Sequence, residues 1–129
     1  MDDVTRMTWM FLLKKKSETF SCFQIFKEST ENECDMKIKC LRSDNGGEFV
    51  SKEFNRYCDE NGIRRHFSIT KTPQQNGVVE RKNRTVMEMA ITMLNESKLN
   101  NILWPQAVHT VVHILNRSLL RNNHFKTPY

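Results

Sequence analysis

The chain of 129 residues is long enough to bury one core of ordinary size but too short for two full domains. With 38% hydrophobic and 27% charged residues and no long apolar run, it has a globular composition, so we expect an intracellular chain without a secretion signal or membrane span. The net charge of +5 is a modest excess that is compatible with a polyanionic partner such as nucleic acid.

The N-terminal third predicts a strand and then a helix. Met7–Leu13 ("MTWMFLL") is apolar, rich in aromatic residues and closed by three lysines, which favours a strand. Ser17 is a candidate N-cap for a helix that continues to about residue 33. Three phenylalanines recur along this helix at helical spacing and are predicted to be core residues: Phe20, Phe23 and Phe26.

A second strand is predicted to end at the motif "RSDNGGEF". Met36, Ile38 and Cys40 alternate with other residues at a period of two, which indicates a strand that continues to Asp44. Ligands of open α/β sheets bind at the carboxyl ends of strands, so Asp44 is well placed for chemistry. The alternative is structural, because Asp-Asn-Gly-Gly is also a strong turn sequence.

The middle of the chain predicts a short helix and a third strand. Ser51 is a candidate cap for a helix with Phe54 and Cys58 on one face, and Asn61-Gly62 supplies the left-handed residue that ends it. Ile63–Ile69 alternates apolar and polar residues like a strand, and the polar stretch "TKTPQQNG" that follows is predicted to be a loop.

Two helices are predicted in the C-terminal half. The first runs from about Gln75 or Asn76 to Leu94, and the second from about Ile102 to Leu120. The apolar face of the first is predicted to contain Val79, Val86, Ala90 and Met93. The complete order is strand, helix, strand, helix, strand, helix, helix, which indicates the α/β class.

The cysteines and histidines do not predict a zinc site or a disulfide. None of the cysteines has Cys-x-x-Cys spacing, and an intracellular chain keeps its thiols reduced. His109 and His113 are four residues apart, but Thr110 stands where a zinc-protease helix requires Glu. The four thiols are therefore read as core or surface residues: Cys22, Cys34, Cys40 and Cys58.

Glu80 forms a second candidate position, in the first turn of the long predicted helix. A carboxylate there also favours the helix dipole, so a structural interpretation exists here too. The motifs "LRSDNGGEF" and "TPQQNGVVERKNRT" place 35 residues between Asp44 and Glu80. These motifs resemble the second Asp and the Glu of the D,D-35-E catalytic core of retroviral-type integrases, in its copia-type retrotransposon form.

The resemblance extends over nearly the whole chain. "DDVTRMTWMFLLKKKSETFSCFQIFK" resembles the strand, turn, strand and helix of that family, and "LWPQAVHTVVHILNR" with "KTPY" resembles the region after its catalytic helix. The resemblance implies an RNase H-like fold with a mixed sheet flanked by helices. It also implies three carboxylates that hold two Mg²⁺ or Mn²⁺ ions for DNA 3′-end processing and strand transfer, with Asp44 and Glu80 as catalytic metal ligands.

Four residues near Glu80 are candidate contacts for DNA. Gln75 and Asn76 match polar positions before the Glu of the family and would meet the DNA end. Lys82 and Arg84 would contact phosphates. The structural alternative for the two basic residues is an exposed charged helix face.

The first catalytic Asp of the family lies upstream of the segment that "DDVTRMTWM" resembles. We therefore expect the chain to begin after the first strand and most of the second, and neither Asp2 nor Asp3 to be the missing ligand. The strand at Met7–Leu13 would then lack its usual neighbours, which predicts marginal stability, a homodimer or higher oligomer, or repacking around the Asp44 strand. Residues 1–97 are predicted to form the core and residues 98–129 a helical extension.

The sequence thus predicts a fragment of a retrotransposon integrase catalytic domain that acts on DNA, with the nucleus as its place of action. With two of three carboxylates, the chain by itself should be inactive, and its binding of Mg²⁺ or Mn²⁺ should be weakened or lost. Two alternatives stay open. The chain is a non-catalytic nucleic-acid-binding or protein interaction module derived from a retroelement, or it is a remnant without function.

Overall fold

A computed structural model of the chain describes residues 1–68, 73–118 and 126–129, the side chains of residues 73–76 excepted. The described elements alternate between helices and strands, which confirms the predicted α/β class. In chain order they are α1 (Thr19–Cys34), β1 (Cys40–Ser43), α2 (Lys52–Glu60), β2 (Arg64–Phe67), α3 (Pro73–Glu96) and α4 (Trp104–Arg117), with 3-10 turns at Lys16–Glu18 and Asn101–Leu103.

The chain divides into two compact units. One is Leu13–Asn76, and the other comprises Met1–Leu12 with Gly77–Tyr129. No helix in the described ranges is both long enough and apolar enough to span a bilayer.

The unit Leu13–Asn76 contains the sheet of the described residues, in which β1 and β2 pair in parallel. The register places Leu41 opposite Arg65 and Ser43 opposite Phe67. A parallel pair needs a crossover connection, and here α2 provides it. As predicted, α2 begins at Ser51, whose hydroxyl accepts a hydrogen bond of 3.2 Å from the Phe54 amide, and it is followed by Gly62 at a φ of +66°.

An aromatic core holds this unit together. Phe54, Cys58 and Ile63 are buried at its centre. The rings of Phe20 and Phe23 lie 5.3 and 5.1 Å from the Phe54 ring, in the geometry of favourable aromatic pairs. These contacts confirm that Phe20 and Phe23 of α1 belong to the core, whereas Phe26 is only partly buried and is not part of this cluster.

The other unit has a core between α3 and α4. Its buried members are all aliphatic. They are Val86, Ala90, Leu94, Ala107, Val108, Val111 and Val112. Of the predicted apolar face of α3, Val86 and Ala90 are buried, whereas Val79 is 46% exposed.

The prediction of a strand at Met7–Leu13 is wrong. The segment has no strand pairing among the described residues. Instead, the Asn116 side chain accepts a hydrogen bond of 3.0 Å from the Thr8 amide and donates one of 2.8 Å to the Thr8 carbonyl. One buried amide side chain therefore supplies at Thr8 both bonds that a neighbouring strand would supply, and Met10 packs against the α3 and α4 core.

Two helix starts also differ from the prediction. The N-cap of α1 is Glu18 rather than Ser17, and its side chain makes no capping hydrogen bond. Helix α3 begins at Pro73 rather than at Gln75 or Asn76, so residues 73 and 74 are helical and not part of the predicted loop. Proline suits the first helical position because its fixed φ is already helical and it lacks an amide hydrogen that would need a partner.

Replacement of Asn116 by Ala tests how the N-terminal segment is held. The change leaves the buried Thr8 amide and carbonyl without partners, so we expect the free energy of unfolding to fall by about 1–3 kcal/mol in urea titrations. The exposed Asn95→Ala on α3 is the matched control and should change little. Equal stability of the two variants would contradict this account of the segment.

Candidate functional site

Asp44 lies where the sequence places it, directly after the last residue of β1. Its side chain is exposed, and its Oδ1 accepts a hydrogen bond of 3.0 Å from the Gly46 amide. This bond closes an Asx turn, so the turn interpretation is correct as far as it goes. A turn that uses a carboxylate oxygen as acceptor also orients the whole carboxylate, and the two interpretations therefore do not exclude each other.

Two carboxylates converge above Gly46. A Cβ added to this glycine would lie 2.9 Å from Oε2 of Glu48 and 3.0 Å from Oδ1 of Asp44. Glu48 is partly buried, with 19% of its side chain exposed, and its Oε1 lies 3.8 Å from Nζ of the exposed Lys16. The missing side chain at position 46 is thus what lets the two carboxylates share this space.

Arg65 is a neighbour of this loop that sequence reasoning missed. It projects inward from β2, and its Nη2 donates hydrogen bonds to the carbonyl of Phe49 at 2.9 Å and to Oγ of Ser43 at 3.3 Å. Its strand is bounded by the buried Ile63 and Ser68. Side chains alternate between the two faces of a strand, so Arg65 faces inward like Ile63 and Phe67. This alternation is the feature of the sequence that could have identified Arg65 as an inward-facing residue.

Glu80 lies on α3 as predicted but not in its first turn. Because the helix begins at Pro73, Glu80 is its eighth residue, and the first turn contains no acidic side chain. The effect of the helix dipole is confined to about the first turn, so it does not explain a carboxylate at this position. Glu80 is exposed.

The candidate DNA contacts are only partly described. Lys82 is half-buried, and burial lowers the pKa of its ammonium group, whereas Arg84 is exposed. Gln75 and Asn76 are helical in their backbone, but their side chains lie outside the described part. Helical periodicity puts Arg84 on the same face as Glu80, one turn further along.

Asp2 is engaged in a local turn. Its Oδ2 accepts hydrogen bonds from the amides of Val4 and Thr5 and from the Thr5 hydroxyl, at 3.2, 2.6 and 2.7 Å. Burial raises the pKa of this carboxyl, but the hydrogen bonds outweigh burial and lower the pKa below its usual value. In this structure the Asp2 carboxylate therefore has a local structural role.

The described residues do not assemble a complete metal site. Within residues 1–68, 73–118 and 126–129, no three His, Cys, Asp or Glu side chains form a group that could hold a metal ion. Asp44 and Glu80 belong to different compact units. The donor chemistry nevertheless fits Mg²⁺, which prefers oxygen ligands and completes its coordination with waters and substrate phosphates.

The family model of the TnsB C-terminal domain matches residues 3–96. The chain belongs to the TnsB C-terminal domain family. The match includes both candidate carboxylates and ends one residue before the boundary predicted at residue 97.

The chain is also similar to retrovirus-related Pol polyproteins of copia-type transposons, which confirms the resemblance inferred from the motifs. The chain is 46% identical over 118 residues to the Pol polyprotein from transposon TNT 1-94 of Nicotiana tabacum, with 92% of the chain covered. It is 40% identical over 117 residues to that from transposon RE2 of Arabidopsis thaliana, with 91% covered. The chain spans only 9% and 8% of these two polyproteins.

The structural neighbours of this TnsB-family chain are retroviral integrases, so its fold is that of an integrase catalytic core. A chain of the simian T-cell lymphotropic virus intasome in complex with PP2A regulatory subunit B56 gamma matches 90% of this chain and 39% of its own length, with a TM-score of 0.67 and 20% identity. The HTLV-2 integrase catalytic core domain in complex with magnesium, in its dimeric form, matches 90% and 68%, with a TM-score of 0.63 and 22% identity.

Replacement of Gly46 by Ala tests the convergence of the two carboxylates. The new methyl group would occupy the space next to Asp44 and Glu48, so at least one carboxylate must move, and we expect both carboxyl ¹³C signals to shift in NMR spectra. Gly47→Ala is the matched control, because a Cβ there meets nothing within 4 Å. Equal carboxyl shifts in both variants would refute the convergence.

Proposed function

We propose that the chain is part of a retrotransposon integrase catalytic domain, whose chemistry is metal-dependent DNA 3′-end processing and strand transfer. Asp44 and Glu80 are its two metal-binding catalytic carboxylates. The observation that carries the proposal is Asp44, an exposed carboxylate that its own Asx turn orients at the carboxyl end of a parallel strand pair. The relatives named retrovirus-related Pol polyproteins, and the integrase cores of like fold, support it.

The metals of this site are Mg²⁺ or Mn²⁺ under the proposal. When bound, a pair of such ions would activate a water or a DNA 3′-hydroxyl and stabilise the leaving oxygen during attack on a phosphodiester. Asp44 and Glu80 would supply two of the carboxylate ligands for these ions. A magnesium complex of an integrase core with the same fold supports this choice of metal.

The remaining candidate residues bind DNA. Lys82 and Arg84 neutralise backbone phosphates, and Gln75 and Asn76 contact the DNA end. The net charge of +5 and the run Arg81-Lys82-Asn83-Arg84 support this assignment. The protein acts in the nucleus as a homodimer or higher oligomer, in line with the dimeric form of the similar integrase core.

Residues 1–97 are the catalytic core and residues 98–129 a helical extension under this proposal. The end of the family match at residue 96 supports the boundary. The 129 residues contain two of the three carboxylates of an integrase core, and we propose that they are inactive by themselves.

The inactivity is tested by strand-transfer assays with a DNA end and Mg²⁺ or Mn²⁺. We expect the 129-residue chain to form no product, because two carboxylates do not hold the pair of ions. A product that disappears on Asp44→Ala and on Glu80→Ala would contradict the inactivity while supporting the site. A product that survives both changes would contradict the site itself.

DNA binding is tested separately by fluorescence anisotropy over a range of salt concentrations. We expect Lys82→Ala and Arg84→Ala each to weaken binding and to reduce the salt slope by about one, since each removes one phosphate contact. Lys52→Ala, an exposed lysine on α2, is the control. Equal effects of all three changes would contradict a specific role of α3.

A second candidate function is a non-catalytic nucleic-acid-binding module, favoured by the same basic run on α3. In that case Asp44 is a relic, and Asp44→Asn should leave DNA affinity unchanged whether Mn²⁺ is present or absent. The integrase proposal predicts that Mn²⁺ strengthens binding of a DNA end by the wild-type chain and that Asp44→Asn abolishes this gain.

A further inference from the structure

The guanidinium group of Arg65 lies between two aromatic rings. Its Cζ is 4.6 Å from the centroid of Phe54 and 4.7 Å from that of Phe67. Such contacts stabilise a cation, and more strongly when it is desolvated. Nε of Arg65 is buried and has no hydrogen-bond partner in the part of the chain that the structure describes.

Neutral atoms accept the hydrogen bonds of Arg65 within the described residues. Nη1 donates to Oδ1 of Asn55 at 3.4 Å and to Sγ of Cys58 at 3.7 Å, and Nη2 donates to Ser43 and Phe49. Carboxylate acceptors would bind a cation more strongly than these neutral ones, so within the described residues no ion pair explains the position of Arg65. Its position therefore calls for another explanation, and the acceptors of Nη2 provide one.

The two acceptors of Nη2 bracket the loop that carries Asp44. Ser43 directly precedes Asp44, and Phe49 directly follows Glu48. One nitrogen thus joins the end of β1 to the residue after the loop, across the five residues between them. The loop also has an internal hydrogen bond of 2.9 Å from the Phe49 amide to the Gly46 carbonyl.

Ser43 extends the contact from Arg65 to Asp44. Its hydroxyl accepts from Arg65 and donates to the Asp44 carbonyl at 3.1 Å. The Ser43 carbonyl in turn accepts a hydrogen bond of 2.9 Å from the Ser68 amide, which anchors it to the end of β2. The backbone of Asp44 is therefore tied to β2 through Ser43.

We propose that Arg65 is a positioning residue for Asp44, whose guanidinium clamps both ends of the loop Asp44–Glu48 and so fixes the carboxylate above Gly46. A role of this clamp in catalysis rests on the proposed function, whereas the hydrogen bonds that form the clamp do not depend on it. A planar group with several donors in fixed directions is needed, and Lys does not replace it.

The clamp is tested by amide hydrogen exchange in the 129-residue chain. Arg65→Lys keeps the charge and Arg65→Met keeps an apolar stem between the rings, while both lose the fork of donors. We expect exchange at the Phe49 amide to accelerate about tenfold in both variants, the effect of losing a hydrogen bond from a charged donor. Exposed Arg64→Lys on the same strand is the matched control and should leave Phe49 unchanged.

Hydrogen exchange at the Ile63 amide distinguishes a positioning role of Arg65 from a general loss of stability of the unit. This amide donates a hydrogen bond of 2.8 Å to Cys58 in the same unit but outside the loop. The proposal predicts faster exchange at Phe49 with Ile63 nearly unchanged. It is overturned if Phe49 keeps its protection, or if Ile63 loses as much protection as Phe49.

Ser43→Ala keeps the test decisive if the Arg65 variants fail to fold. It leaves the guanidinium group in place and removes only the Ser43 hydroxyl, which accepts a hydrogen bond from Arg65 and donates one to the Asp44 carbonyl. Exchange at the Phe49 amide should therefore accelerate by a smaller factor, about threefold. Unchanged exchange at Phe49 in this variant would contradict the claim that Arg65 supports Asp44 through the Ser43 hydroxyl.

Calorimetric titration with Mn²⁺ distinguishes the clamp from the proposed function. If Asp44 holds metal, Arg65→Lys should weaken Mn²⁺ binding about tenfold and Arg64→Lys should not. If wild-type binding is absent or insensitive to Asp44→Asn, the proposed function fails, and the exchange at Phe49 still decides the clamp. If the wild-type chain binds through Asp44 and Arg65→Lys binds equally well, the positioning role fails alone.

Discussion

The backbone hydrogen bonds between β1 and β2 determine where Asp44 stands, because they end the first strand at Ser43 and hold that residue opposite Phe67. In a parallel pair both strands end at the same edge, so Asp44 and Ser68 both lie at that edge of the sheet. Such a short pair is not stable by itself. It persists here because Leu41 and Ile63 pack into the aromatic core around Phe54.

The two candidate carboxylates are presented in different ways. Asp44 lies in a loop, and a loop carboxylate needs support to keep one orientation, which the Asx turn, the space above Gly46 and the Arg65 guanidinium provide. Glu80 lies on α3, which is fixed further along by the packing of Val86 and Ala90. A regular helix holds its side chains in place without a dedicated clamp, since its backbone is already ordered.

Much of this arrangement could be predicted from sequence because it depends on local signals. The cap at Ser51 and the end of β1 before Asp44 follow from residue types within a few positions. The start of α3 was missed because Pro73 was read as a loop residue, although proline also suits the first helical position. The earlier start of α3 matters for Glu80, because it places this residue beyond the first turn, where the helix dipole no longer explains why a carboxylate is present.

The features that sequence reasoning missed depend on distant contacts. Met7–Leu13 has the composition of a strand, but the backbone of Thr8 within it is hydrogen-bonded to the side chain of Asn116, more than a hundred residues away. The alternation along β2 directs the Arg65 side chain inward, but it does not show that the rings of Phe54 and Phe67 lie against its guanidinium group. Its role becomes visible only when β1 and β2 are paired and the acceptors at Ser43 and Phe49 are brought to the same nitrogen.

The central claim is that Asp44 and Glu80 are metal ligands, and paramagnetic broadening by Mn²⁺ in NMR spectra of the 129-residue chain tests it most directly. The account predicts that substoichiometric Mn²⁺ first broadens the amide signals around Asp44 and Glu80, and that Asp44→Asn abolishes the broadening near Gly46. Broadening that begins at the other acidic side chains, such as Glu53 and Asp59 on α2, and spares Asp44 and Glu80 would contradict it.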